Sequence, residues 1–200
     1  MARTKQKIVQ EFRRAEILIA ARTVFARKGF EGGSVDDIAA VAGLAKGTIY
    51  IYFKSKKEIY KALVAHDMEA LKASTMRHIE EAPTLREKLT AFIQTRLENA
   101  ERNREIFRIM DTQSGGLAFT RSQYRDWLQE PVHALAAAIE KAQRSSHARH
   151  APAEKIAWAA ADLARGAIVR RLVDQSAENL REEAEFLAGL LWTSLAPLKR

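Results

Sequence analysis

Six residues in the stretch AKGTIYIYF share an unusual chemistry: Lys46, Gly47, Thr48, Tyr50, Ile51 and Tyr52. They bring one ammonium, one hydroxyl, two phenols, a glycine and an aliphatic group within seven positions. At helical spacing, Leu44, Ile49 and Phe53 take the inward positions and leave these six largely outward. Such a face is odd for a merely solvated surface and suits a helix laid into the DNA major groove. Lys54, Lys56 and Lys57 follow directly, and basic side chains beside a groove-reading helix neutralise phosphates. The chemistry is recognition rather than bond-making.

The elements that must hold this face are legible just upstream. Ser34 can cap a helix, with Asp37 three residues on closing a capping box. Val35, Ile38, Ala39 and Ala42 supply its inward face. Gly43 sits where the chain must turn sharply, which a residue without a Cβ does most readily. A small Ala39, a glycine four later and Ile49 six beyond that fit two helices crossing steeply through a short turn. Ordinary helical hairpins also show this spacing, so the basic flank is what points to a polyanion.

Charge is unevenly spread. The chain carries a net +8 over 200 residues, and residues 1–60 hold +6 of it, the footprint expected for a polyanion partner. A solvated basic tail or a weak membrane-surface patch is the bland alternative. With 47% hydrophobic and 29% charged residues, 9 Gly and 4 Pro, the composition is that of a mostly helical protein with enough chain for a core. There is no cysteine, hence no disulfide framework or thiolate metal site. No apolar run approaches 18 residues, so no membrane span is expected. The basic start lacks the apolar core of a secretory signal, and a cytoplasmic location is expected by default.

Enzymatic chemistry finds little footing. Of His66, His78, His133, His147 and His150, the pair His147 and His150 has ligand-like spacing but lies in a polar stretch without a third ligand. No phosphate-cradling glycine loop, nucleophile elbow or paired-carboxylate motif occurs. No catalytic residue, metal or cofactor is expected, and an enzyme survives only as unspecified chemistry in the C-terminal part.

The apolar periodicity predicts an all-α chain of about nine helices. Met1 to about Gln10, with Arg3, Lys5 and Lys7, reads as a mobile arm. Glu11–Lys28 is a helix stopped by Gly29, with Phe30 folding back on the core. Two short helices follow within Val35–Phe53. Lys56 to about Glu81 is a long helix capped by Ser55 with Glu58 in the box position. Pro83 and Thr84 open the next, with Leu85, Leu89, Phe92, Ile93 and Leu97 inward. Arg96 shares that face, either snorkelling to its edge or binding an anion.

A short helix near Arg104–Met110 and a loop carrying Gly115 and Gly116 come next. Phe119 to about Arg144 is helical, with Pro131 expected to kink it or break its hydrogen bonding. Gln143–Pro152 reads as a polar linker. Ala153–Val173 and Ala177 to about Ala196 complete the chain with wide apolar bands. The expected division is a head at 1–55 and a larger helical part at 56–200.

In this order the chain resembles the TetR family of bacterial transcription regulators. The likeness is sharpest over Ile17 to Leu63, and AGLAKGTIYIYFKSK is close to the commonest form of the family's motif. The rest resembles the family only in length and helix order. The resemblance implies that Lys46, Gly47 and Ile51 face base edges. It implies that Ser34, Thr48, Tyr52, Lys54 and Lys56 contact phosphates, and that Tyr50 does either. The chemistry agrees: hydroxyls and ammonium groups suit phosphate oxygens, and Lys46 can donate to guanine O6 or N7. Gly47 would let the backbone approach, and Ile51 could touch a thymine methyl. Position 45, commonly serine in this motif, is Ala45, so a capping hydroxyl is missing.

The resemblance also implies a homodimer joined through the last two helices and a palindromic operator in double-stranded DNA. It implies a pocket in each subunit for a small effector whose binding releases the DNA, most often lifting repression. Candidate pocket residues are Met68, Phe92, Phe107, Met110, Tyr124, Trp127 and Trp158, with Arg96, Gln113 and Asp162 as polar anchors. Taken singly, each aromatic or methionine reads more readily as plain core. As a collection they suit a mainly hydrophobic effector. The rival to a ligand-responsive regulator is a structural, nucleoid-type DNA binder with no effector.

Overall fold

The computed structural model describes residues 2–107, 121–145, 148–174 and 179–197, with side chains for all of these except residues 2–7 and 121–124. Among the described residues every regular element is a helix. They run α1 (Ala2–Gly32), α2 (Val35–Ala42), α3 (Lys46–Tyr52), α4 (Lys56–Glu81) and α5 (Leu85–Arg102), then α6 (residues 104–107), α7 (Arg121–Arg144), α8 (Ala153–Asp174) and α9 (Leu180–Leu195). Two compact units divide them: Met1–Asp67 with Glu105–Phe119, and Met68–Arg104 with Thr120–Arg200.

In the first unit α1 packs on α2 and α3. Its inward stripe, Ile17, Ala21, Val24 and Phe25, is almost wholly buried, as are Ile38, Ile49 and Phe53 from the two short helices. Gly29 leaves helical geometry at φ 69°, which turns the chain so that Phe30 folds back. The rings of Phe25, Phe30 and Tyr60 then meet pairwise at 5.3–5.8 Å, two of the three contacts edge-on. Burial pushes the Tyr60 phenol well above its ordinary pKa, with the nearby Asp67 charge adding to it.

Two expectations are corrected here. The first unit runs to Asp67, past the boundary expected at residue 55, because Ile59, Tyr60, Leu63 and Val64 of α4 are fully buried. The expected arm is instead helical, α1 beginning at Ala2. Ile8, Val9 and Phe12 there are more than half exposed, so packing does not hold that extension. It propagates from the packed turns that follow, since adding residues to an existing helix avoids the cost of nucleation.

In the second unit α5 packs against α7, α8 and α9. Thr84 and Glu87 form its reciprocal capping box, as expected. Leu89, Phe92, Ile93 and Leu97 meet Val132, Leu135 and Ile139 of α7 and the alanine row of α8 in one apolar cluster. The small side chains of Ala157, Ala160, Ala161 and Ala164 suit close approach of helices. Glu183 of α9 is buried between Arg170 and Arg171 of α8, its Oε2 3.0 Å from Arg171 Nη1.

Pro131 neither breaks nor interrupts α7, which runs continuously through it. Leu128 on one side of it and Val132 and Leu135 on the other are buried. The linker expected at Gln143–Pro152 is fastened rather than free. Gln143 Nε2 donates to the carbonyls of Arg149 and Ala151, both at 2.9 Å, and Arg149 N donates to Leu195 O at 2.7 Å. The expected loop at Gly115 and Gly116 lies outside the described residues.

Candidate nucleic-acid interface

α2 begins as its sequence requires. Ser34 Oγ accepts the Asp37 amide at 3.1 Å, and the Asp37 carboxylate accepts from the Ser34 amide at 3.0 Å. Lys28 Nζ, 2.6 Å from Asp37 Oδ1, and the Ser34 hydroxyl together hold the Asp37 carboxyl at about 2, well below the usual carboxylate range. At the other end Gly43 takes the left-handed conformation (φ 65°, ψ 31°), its N–H turning back to Ala39 and Ala40 carbonyls. This lets α3 start three residues later, at Lys46.

α3 is seven residues long and sharply two-sided. Ile49 is fully buried and Phe53, just beyond the helix, nearly so, whereas Ile51 is 78% and Tyr50 46% exposed. Lys46 and Gly47 are exposed with them, and Thr48 and Tyr52 lie half-buried at the edge of the face. A Cβ added at Gly47 would meet nothing within 4 Å. Ala45 occupies the N-cap position and supplies no side-chain hydrogen bond, as expected.

Lys46 Nζ pairs with Asp36 at 2.9 Å, which raises the lysine's pKa above its ordinary value. Lys54 and Lys57 are exposed beyond α3. Glu58 Oε2 accepts the Lys54 amide at 2.7 Å while the Glu58 amide donates to Ser55 Oγ, so α4 is capped as expected with the carboxylate reaching one residue further back.

Two of the side chains expected at phosphates have partners within the free protein. Lys56 turns inward, where its ammonium donates to the carbonyls of Phe30 (2.7 Å), Glu31 (3.3 Å) and Gly33 (3.0 Å). An ammonium has three protons, and each of these carbonyls can take one. The Ser34 hydroxyl directs its proton to Asp37 Oδ2 at 2.8 Å, which makes it part of the cap.

Two participants escaped the sequence. Asp36 meets Lys46 only because of the turn, and no spacing rule joins them. Arg14, whose Nη1 donates to Tyr52 O at 2.7 Å with its guanidinium 4.2 Å from the Phe53 ring centroid, did leave a signal. It lies three, four and seven residues before Ile17, Leu18 and Ala21, on the inward stripe of α1.

The described effector candidates fall mostly in the second unit. Met68, Phe92 and Arg96 are buried, Trp127 and Trp158 half-buried, all in the second unit, and half-buried Phe107 lies in the first. Arg96 does not snorkel to an edge; it is 7% exposed, with its guanidinium 4.6 Å from the Phe92 ring centroid. Asp162 is exposed on α8. Met110 and Gln113 lie outside the described residues, as does the Tyr124 side chain. The second unit holds an open groove of about 490 Å³ beside Arg86, Gln94 and Arg181, and none of the expected residues lines it. Among the described residues no group of histidines and carboxylates could hold a metal ion, and no helix is long and apolar enough to cross a membrane.

A short, exposed helix of mixed donors, set on a capped partner through a left-handed glycine, is a helix-turn-helix. Residues 17–63 match the family described as bacterial regulatory proteins, tetR family. Over that stretch, the chain carries a head of the tetR type. Over 78 residues it is 38% identical to the fatty acid metabolism regulator protein of Bacillus subtilis, a match covering 39% of this chain and 40% of that one. It is 27% identical over 108 residues to the transcriptional activator FasR of Mycolicibacterium smegmatis, covering 54% and 49%. The fold is similar to that of the transcriptional regulator FadR from Bacillus subtilis, solved in complex with stearoyl-CoA. That likeness has a TM-score of 0.71 at 22% identity, covering 88% of this chain and 96% of the other. The chain spans between a quarter and a half of the length of the curated relatives it matches.

Proposed function

We propose that this protein is a TetR-family regulator that binds a palindromic operator as a homodimer, represses from it, and is released by a small, mainly hydrophobic effector. The observation that carries the reading is the two-sidedness of α3: Ile49 and Phe53 hold the helix in the core while Lys46, Gly47, Tyr50 and Ile51 stand clear. Lys46, Gly47 and Ile51 face base edges, Thr48, Tyr52 and Lys54 meet phosphates, and Tyr50 reaches either. Two such heads related by a two-fold axis would read half-sites about one helical turn, roughly 34 Å, apart.

The dimer forms through α8 and α9, where Val173, Phe186 and Leu190 leave apolar surface exposed. A long acyl chain is the first effector to try, given the solved relative that carries one. Effector and DNA then weaken one another by the same factor.

A gel shift with the DNA upstream of the protein's own gene, against random duplex of equal length, tests the reading. Preferential binding reversed by an acyl thioester is the expected result. Equal affinity for both duplexes would mark a nucleoid-type binder, and binding to neither would overturn DNA recognition.

A further inference from the structure

Lys56 and Arg14 repeat one arrangement at the two ends of the helix-turn-helix. Lys56, in the first turn of α4, donates to three carbonyls of the turn that delivers the chain from α1 into Ser34. Its ammonium also lies 4.4 Å from the Phe30 ring centroid. Arg14, on α1, donates to the last carbonyl of α3 and lies over the ring that follows it. Each cation thus meets a chain end where carbonyls lack helical partners, and each is backed by an aromatic face. The turn that Lys56 holds also lies close against α1. A Cβ built on Gly33 would come within 2.9 Å of Val24 Cγ1 and 3.2 Å of Gly29 O, so the backbone there lies tight against α1.

From this we infer that Lys56 is a positioning residue: with Arg14, it brackets α2 and α3 and sets the pose in which α3 is presented, and it does not itself contact DNA. Chain entry into α2 and chain exit from α3 are both tied by charge-assisted hydrogen bonds to helices outside the motif. Pose decides which base edges the outward side chains reach, whereas phosphate contacts are largely indifferent to sequence. Lys56 therefore governs discrimination, and Lys54, exposed two residues earlier, carries the electrostatic contact.

Two measurements test this, and only the second rests on the DNA-binding reading. In the first, free protein is pulsed with an amine-acylating reagent and the lysines are compared by mass spectrometry. Lys56 should react about tenfold or more slowly than Lys54 and Lys57, its protons being held by carbonyls. Equal reactivity would overturn the cage. In the second, Lys56→Met is compared with wild type on a duplex recovered by wild type from a randomised pool and on a random duplex, across a salt series. The selected-to-random ratio should fall about tenfold while the slope of log affinity on log salt stays unchanged. A slope flattened by about one unit with the ratio intact would make Lys56 a phosphate anchor and overturn the inference. An unchanged ratio and slope in a folded variant would leave only a structural role and overturn it equally. Should wild type recover no duplex, the DNA-binding reading fails while the acylation result still judges the cage.

Discussion

Lys46 Nζ sits 2.9 Å from Asp36 Oδ2, so the first residue of the outward-facing helix is tied to the first turn of the helix before it. Both side chains are more than half exposed, 53% and 64%, and water and salt screen the pair. It aims the ammonium in the free protein and yields readily to a base or phosphate. Asp36→Asn removes a carboxylate that would face the DNA and frees the lysine. Affinity for duplex should rise by a factor of a few at low salt, the gain shrinking as salt is raised, as read by fluorescence anisotropy.

Lys46 and Lys54 should separate reading from anchoring. Lys54→Ala weakens binding to all sequences and flattens the salt dependence by about one unit of slope. Lys46→Ala relaxes preference at one base position. Binding-site selection on each variant checks the division, which fails if the two recover the same altered set of sequences.

Gly47 offers a case in which stability and function move in opposite directions. A Cβ there meets nothing, and alanine is the better helix former. Gly47→Ala should therefore leave the protein as stable or stabilise it by up to about 1 kcal/mol. The added methyl stands where a base or sugar would approach, and DNA affinity should fall about tenfold or more. Calorimetry and anisotropy on one preparation measure both.

Acid should weaken the start of α2 within a defined window. Asp37 has its carboxyl lowered from 3.8 to about 2 by Lys28 and Ser34, so its folded form holds a proton less readily than its unfolded form. The stability it contributes is present above about pH 4 and is lost as the pH falls towards 2. Carboxyl titration by NMR should give an Asp37 midpoint near 2 in wild type, rising towards the ordinary value in Lys28→Ala or Ser34→Ala.

The head was legible in the sequence because its rules are local. Ser34 and Asp37 form the cap their spacing announces, Gly43 adopts the left-handed turn, and Ile49 and Phe53 are buried where helical period puts them. The side chains of Lys56 and Arg14 were harder because a cation's partners cannot be inferred from periodicity when those partners are backbone carbonyls 23 to 26 and 38 residues away. In the second unit, apolar residues that line a cavity and those that fill a core obey the same period. Phe92 is accordingly indistinguishable by sequence from its neighbours Leu89 and Ile93, all three wholly buried in one cluster.

The split character of α3 bears on how such a regulator can change over generations. Residues that anchor the helix and residues that meet the target are different sets, and Ile51, at 78% exposure, contributes almost nothing to the fold. Substitutions on the outward set can change what the helix meets without passing through misfolded intermediates, so duplicated copies are free to diverge in target while inheriting an intact scaffold.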